Sequence, residues 1–323
     1  MDVVVAGSHG LLGTTLVDRL RARGDRVRRL VRREPRAPDE LGWDPGTGVL
    51  DPRHLDGADA VVNLGGAGVG TRYWSTGYKR TVLESRTVPT SLIARTLARA
   101  ADPPPTWLQA SAVGWYGDRG DTPLTESAAP GDGFLAGVVT RWEAATRPAQ
   151  DAGTRVVHLR TGIVLAPDPG RLSNLLPLLR LQLPEGGTLA ALLPILRTGL
   201  GGPLGPGTQY WPWITLPDET GAMLHLLGPA GDAVRGPVNL TAPVPARNRD
   251  VMAALARVVH RPALVRVPTP ALRVALGEFS QTLTDSQRVL PAALEASGHT
   301  FEHPTLDDAA RWLSAARDAA AVS

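Results

Sequence analysis

Residues 3–20 read VVVAGSHGLLGTTLVDRL, and the order of residue types in this stretch decides the fold. The β-branched run Val3 to Val5 predicts a buried strand, glycines follow at Gly7, Gly10 and Gly13, and helical spacing runs from about Leu11 to Arg23. Strand, glycines and helix in this order form a turn suited to a dinucleotide's pyrophosphate. Gly7 permits the tight turn, Gly10 lets backbone approach the phosphates, and Gly13 lets helix and strand pack closely. The unpaired N–H groups at the helix start then face the anion. A glycine-rich turn also joins strand to helix where no ligand binds, and here its placement between a strand and a helix at the chain start argues for a site.

Further β-rich runs at Arg26–Val31, Ala58–Leu64, Thr106–Ala112 and Thr154–Val164 alternate with helical spacing at Lys79–Ala100 and Phe134–Ala152. Such alternation predicts an α/β fold, a Rossmann-type doubly wound parallel sheet with helices on both faces. The reading assigns 1–166 to the nucleotide domain, with a returning strand near 238–241, and 167–323 to a smaller C-terminal substrate lobe. That lobe carries a Leu/Pro-rich insert over 171–205, in which LLPLLRLQL from Leu175 recurs as LLPILRTGL from Leu192. One recurrence is too few for a solenoid, so it reads as a local duplication. After it come a strand in VNLTAP from Val238, a helix from about Asn248 to Val259, a strand in LVRVP from Leu264, and a small C-terminal domain over about 270–323.

The chain has 323 residues, 43% hydrophobic and 20% charged, as a folded globular protein has. It has no cysteine, which excludes disulfides and thiolate metal ligands. No apolar run approaches the roughly 18 residues of a membrane span, and Met1 leads straight into a strand, so a cytoplasmic location is expected. The net charge of +3 is spread without an aromatic-laced basic stripe, so no nucleic-acid partner is expected. No membrane partner is expected either. A small-molecule substrate is the expected partner, and homodimerisation stays open. No metal site is expected: His299 and His303 stand four apart, but Pro304 follows and the segment reads as a turn.

The end of the second strand selects the dinucleotide. An acidic residue there suits a ribose 2′-hydroxyl, whereas RVRRLVRRE ends in Arg32 and Arg33, whose guanidinium groups suit a 2′-phosphate. NADP(H) is therefore the expected cofactor, with Glu34 as the residue that would serve NAD instead.

Further along, VVNLGGAGV from Val61, SRTVPT from Ser85, ASAVGWYGD from Ala110, LTESAAPGDGFLAGVVTRWEAA from Leu124 and RVVHLRTGIVLAPD from Arg155 appear in order. With the glycine turn and GEFSQTLTDSQRVLPAALEASG from Gly277, the chain resembles atypical short-chain dehydrogenase/reductases of the epimerase family. The resemblance spans nearly the whole chain and implies NADP(H) in the first lobe and a substrate cleft between lobes. It implies cofactor contacts from Gly7, Ser8, Gly10, Leu11, Leu12, Gly13, Arg32, Leu64, Gly65, Gly66, Arg86, Ser111, Arg160 and Thr161. Ser111 falls near a serine that orients the substrate oxygen, and Tyr116 or a water is expected to supply the proton.

The chain also departs from that pattern. Extended relatives move the proton with a tyrosine and a lysine four residues on, where this chain has Phe134 and Val138. Arg86 stands about where relatives place an asparagine, and Thr215 to Asp218 replace a His-Ile-Asp-Asp run. Two readings follow: an oxidoreductase or epimerase-like enzyme on a small carbonyl or hydroxyl compound, or a catalytically silent NADP(H)-binding regulator or scaffold. Trp211 and Trp213 read either as cleft lining or as lobe packing, Trp142 as packing, Glu143 as an exposed brace, and Asp118 and Glu126 either as helix caps or as loop braces.

Overall fold

The computed structural model describes residues 1–167, 201–263 and 265–322. The first strands are β1 (Asp2–Ala6), β2 (Arg26–Val31), β3 (Glu40–Gly42), β4 (Ala60–Asn63), β5 (Thr106–Ala112), β6 (Pro123–Leu124), β7 (Arg155–Thr161) and β8 (Ile163–Leu165). After them come β9 (Tyr210–Trp211), β10 (Trp213–Thr215), β11 (Gly236–Leu240), β12 (Ala246–Arg247) and β13 (Arg288–Val289). Seven of these form one parallel sheet in the order β11-β7-β5-β4-β1-β2-β3. The chain leaves β1 for β2 and β3 on one side, then returns to β4 on the other. The switch point, and with it the ligand crevice of such folds, therefore lies at the carboxyl ends of β1 and β4.

Alternation along the strands builds two cores. Val3, Val5, Val62, Leu108, Val157 and Leu159 face one side, where they meet Leu16, Val17 and Leu20 of helix α1 (Leu11–Ala22). Val4, Ala6, Val61, Trp107 and Val156 face the other and meet Leu92, Ile93 and Leu97 of α2 (Thr76–Leu97). Every strand residue named here is buried, so the sheet is covered on both faces, as parallel sheets require.

Several expectations are corrected. The helix expected over Phe134–Ala152 is two, α3 (Phe134–Ala144) and α4 (Arg147–Asp151), separated just before Pro148, whose ring disfavours a continuous helix. The strand expected to run through Val164 bends at Gly162, after which β8 leaves the main sheet and pairs with β10. LVRVP makes no strand among its described residues, only an isolated bridge from Val267 to Leu204. Helix α5 (Leu216–Leu227), placed by sequence in the substrate lobe, instead packs Ala222, Met223 and Leu226 on α1 and the sheet. Its apolar stripe completes the first core, and β3, three residues long, lay below what sequence pattern detects.

A third core gathers Trp211 and Trp213 with Val251 and Leu255 of α6 (Asn248–Val258), Leu272 of α7 (Thr269–Leu276), Leu283, and Leu313. Both tryptophans are buried, which decides for lobe packing over cleft lining. The carboxylate of Glu126 accepts the amides of Asn239 and Ala293, and Asp118 accepts that of Ser286, so both brace the C-terminal segment. Most of the duplicated insert lies outside the described residues. Among the described residues, no helix is long and apolar enough to cross a membrane.

Candidate functional site

The glycine turn has the geometry its sequence predicts. Gly7 has φ +81°, and a Cβ there would stand 2.8 Å from the Gly65 amide nitrogen. A Cβ on Gly13 would stand 2.1 Å from the Gly7 carbonyl oxygen, so only glycine lets α1 come this close to the turn. Gly10 differs: its nearest neighbour would lie 3.7 Å from an added Cβ. The protein's own packing thus leaves room above Gly10, on the side where a ligand would approach. Gly10 caps α1 without any side-chain hydrogen bond, and the first turn carries no acidic residue. The N–H groups of that turn are left for an anion. Ser8 is buried beneath the turn, while Leu11 and Leu12 are partly exposed. The loop Leu64-Gly65-Gly66 lies against Gly7 and continues the floor.

At the end of β2 the arginines have separate fates. Arg33 is held by both oxygens of Glu40, at 2.7 and 2.6 Å. Arg32 is exposed and makes no hydrogen bond or ion pair with the described residues. One cation is spent on the protein and one faces outward beside the crevice.

The expected catalytic hydroxyls belong to a sealed network. Ser111 ends β5 facing Glu143 on α3, and its hydroxyl donates to Glu143 Oε1 at 2.6 Å. Arg160 on β7 donates to the same carboxylate through Nε at 2.9 Å and Nη2 at 3.0 Å, and through Nη1 to the Tyr116 hydroxyl at 3.2 Å. Tyr116 donates to Asn239 Oδ1 at 2.6 Å. Its side chain has 0% exposure, and Arg160 has 2%. Burial would lower the Arg160 basicity, but the Glu143 carboxylate outweighs it and holds the guanidinium above the ordinary arginine value. Burial likewise pushes the Tyr116 phenol up, more than Arg160 pulls it down.

One expectation changes here: Glu143 is a buried counter-ion and not an exposed brace. Arg160, expected at the cofactor, donates to Glu143 and Tyr116. Tyr116, expected as proton donor, is buried and its hydroxyl donates to Asn239 Oδ1. Glu143 was legible in principle: Ala136, Val139 and Glu143 form the buried stripe of α3 at helical spacing, and a carboxylate on such a stripe requires a cation.

Thr161, at the carboxyl end of β7, is partly exposed and donates to Glu219 Oε1 at 2.7 Å. Glu219, in the first turn of α5, is fully buried, and its Oε2 has no hydrogen-bond partner. Burial pushes its carboxyl up to about 8, more than the Thr161 hydrogen bond holds it down. Sequence reading missed Glu219 because only the fold brings it under β7. Arg86 on α2 lies beside Gly66, its guanidinium 5.1 Å from the Trp142 ring centroid. Phe134, at the usual tyrosine position, packs edge-on against Trp74 at 5.0 Å.

Comparison with known proteins agrees with this geometry. Residues 3–239 match the NAD dependent epimerase/dehydratase family, and residues 267–313 match a domain of unknown function, DUF1731. Epimerase family protein Mb2239 of Mycobacterium bovis is 41% identical over 308 residues, covering 95% of each chain. The crystal structure of human epimerase family protein SDR39U1 with NADPH superposes with TM-score 0.84 at 30% identity, covering 98% of this chain and 99% of that one. The UDP-glucose 4-epimerase of Thermotoga maritima shares the fold, with TM-score 0.72 at 16% identity over 100% of both chains. With the family match spanning the glycine turn, the sheet and the crevice, this chain belongs to the NAD dependent epimerase/dehydratase family.

Proposed function

We propose that this protein is an NADP(H)-dependent oxidoreductase or epimerase-like enzyme acting on a small carbonyl or hydroxyl compound. The carrying observation is the uncapped α1 N-terminus over its glycine cradle, with unpaired Arg32 beside it. The NADPH in the human relative's crystal structure supports the choice of cofactor. In this reading Gly7, Ser8, Gly10, Leu11, Leu12 and Gly13 receive the diphosphate, and Arg32 pairs with the 2′-phosphate. Leu64, Gly65, Gly66 and Thr161 line the crevice floor toward the nicotinamide, while Ser111 and Arg160 shape its wall through Glu143.

A bound nicotinamide exchanges hydride with the carbon bearing the substrate oxygen, and that oxygen gains or loses a proton in the same conversion. Of the expected hydroxyls, Ser111 and Tyr116 are enclosed, whereas Thr161 is partly exposed and bonded to a carboxyl held neutral at pH 7. Thr161 presents the proton once the neutral Glu219 carboxyl turns to donate to Thr161 Oγ1: the hydroxyl hydrogen then passes to the substrate oxygen, Thr161 takes the Glu219 proton, and Glu219 is left as the carboxylate. The test is NADPH consumption against a panel of small aldehydes and ketones. Thr161→Val should lower turnover by about a hundredfold or more, the usual effect of losing a positioned acid, while Tyr116→Phe turns over near wild type. Normal turnover by Thr161→Val would remove Thr161 from the mechanism.

The silent NADP(H)-binding reading keeps one observation in its favour: Phe134 and Val138 occupy the usual proton-handling positions, and Phe134 is packed on Trp74. NADPH binding without turnover on any panel member would select it.

A further inference from the structure

The first turn of α5 joins three parts of the molecule. Thr215 caps the helix, its Oγ1 accepting the Asp218 amide at 3.3 Å and donating to Asp218 Oδ2 at 2.7 Å. Arg19, in the last turn of α1, donates through Nη1 to the Pro217 carbonyl at 2.7 Å and to Thr220 Oγ1 at 2.9 Å. Asp218 is buried, and its two oxygens accept the amides of Glu302 at 2.6 Å and His303 at 3.1 Å. Residues 302 and 303 belong to the stretch 267–313 that matches the domain of unknown function. Glu219 stands between these contacts in the chain and reaches Thr161 on β7.

Residues 217–220 span about one helical turn, so a pull on one of them moves Glu219. Charged and titratable groups surround the turn without touching its buried carboxyl. Arg19 Nη2 lies 3.5 Å from Glu302 Oε1, and His303 Nδ1 lies 3.5 Å from Asp218 Oδ2 and 3.2 Å from Thr215 Oγ1. His299 approaches α5 at Gly221. Among the described residues Thr161 alone hydrogen-bonds the Glu219 side chain, so exclusion from water is what keeps its proton in place. The C-terminal domain also has a second fastening, away from α5. There Ser286 Oγ donates to the Gly120 carbonyl at 2.7 Å and accepts the Tyr210 amide at 3.0 Å, and Gln287 Nε2 donates to the Gly117 carbonyl at 3.1 Å. Only the fastening on Asp218 adjoins the carboxyl behind Thr161.

We propose that the C-terminal domain governs the site through this turn: residues 302–303 grip Asp218, Arg19 grips Pro217 and Thr220, and together they fix Glu219 beside Thr161, out of water. Asp218 and Arg19 are then positioning residues, acting through Glu219 without touching substrate or cofactor. The amides on Asp218 form charge-assisted bonds, which hold a buried turn firmly. Through Arg19 the same knot ties the helix that faces the dinucleotide to the group that renews the proton. This rests on the functional reading above, in which Glu219 supplies Thr161.

The test is difference infrared spectroscopy of the whole protein against Glu219→Gln, which isolates the C=O band of the protonated Glu219 carboxyl. Wild type should lose that band on raising the pH, with a midpoint near 8. Asp218→Asn and Arg19→Ala each loosen the turn and admit water, so the midpoint should fall toward the ordinary carboxylate range by about one pH unit or more. Arg19→Lys should restore most of it. Ser286→Ala loosens the same domain at its other fastening and should lower the melting temperature without moving the midpoint. An unmoved midpoint in Asp218→Asn and Arg19→Ala, or an equal shift in Ser286→Ala, would overturn the proposal. Should Asp218→Asn fail to fold, Arg19→Ala decides alone. If wild type shows no such band at neutral pH, the functional reading of Glu219 has failed. Amide hydrogen exchange over 216–220 then decides the grip by itself: exchange faster by about tenfold or more in Arg19→Ala supports it, and unchanged exchange overturns it.

Discussion

Arg160 and Arg86 both lie against aromatic rings, Arg160 4.0 Å from the Trp115 centroid and Arg86 5.1 Å from that of Trp142. One sits near the end of β7 with its fork filled by Glu143 and Tyr116, and the other, on α2, uses only Nη1 among the described residues. The difference separates scaffold from site. A buried cation is tolerated when a carboxylate answers it, as Glu143 answers Arg160, whereas Arg86 is only partly buried and keeps solvent within reach. Here the answered arginine holds β5, β7 and α3 together, and the unanswered one lies beneath an exposed glycine.

The largest effect should come from unbalancing the closed site. Glu143→Ala strips Arg160 of its counter-charge and Ser111 of its acceptor, and breaking a buried pair in this way costs about 3–5 kcal/mol. Denaturant unfolding measures it. A loss under about 1 kcal/mol would show that water compensates Arg160 and that the closed site is less closed than its geometry.

Next comes pH. Glu219 ionises near 4.5 in the unfolded chain and about 8 in the folded one. Between those values the folded protein keeps a proton that the unfolded chain has released, so stability falls as pH rises from about 4.5 toward 8, by on the order of a few kcal/mol. Glu219→Gln should flatten that slope and be the more stable protein at pH 8. An unchanged slope would assign the carboxyl an ordinary value and withdraw it as a proton store behind Thr161.

A smaller effect is expected from Tyr116→Phe, which removes one hydroxyl from Arg160 and Asn239, for a loss of about 1–2 kcal/mol in unfolding experiments. The smallest belongs to the open site: Arg86→Gln should leave unfolding stability nearly unchanged, because solvent already reaches the guanidinium. A large loss there would make Arg86 a structural arginine like Arg160.

Much of the scaffold was legible in the chain. The runs Asp2–Ala6, Arg26–Val31 and Thr106–Ala112 match β1, β2 and β5: β1 is covered on both faces and reads as a near-continuous apolar run, whereas β2, RVRRLV with its arginines partly exposed, was marked by alternation and the Gly24–Asp25 turn before it. The glycine turn was legible because close backbone approach leaves glycine no substitute. Helix α5 was not, since its sequence pattern shows an apolar face without saying what covers it, and only the sheet order brings it to α1. The same limit explains the site. Ser111, Tyr116 and Arg160 were visible as residues near strand ends, but Glu143, which encloses them, and Glu219, which holds Thr161, arrive from other helices across long sequence separations. Arg86 was placed by family resemblance, and its unpaired state appears only once every neighbouring carboxylate has a position.

The central claim is that the crevice is built for a 2′-phosphorylated dinucleotide, and titration of NADPH and NADH at fixed salt into wild type and Arg32→Glu tests it most directly. One charge-assisted phosphate contact is worth roughly 1.5–3 kcal/mol, so wild type should prefer NADPH by about tenfold or more, and Arg32→Glu should lose or invert that preference. Equal affinities in wild type, or a preference that survives Arg32→Glu, would contradict the account.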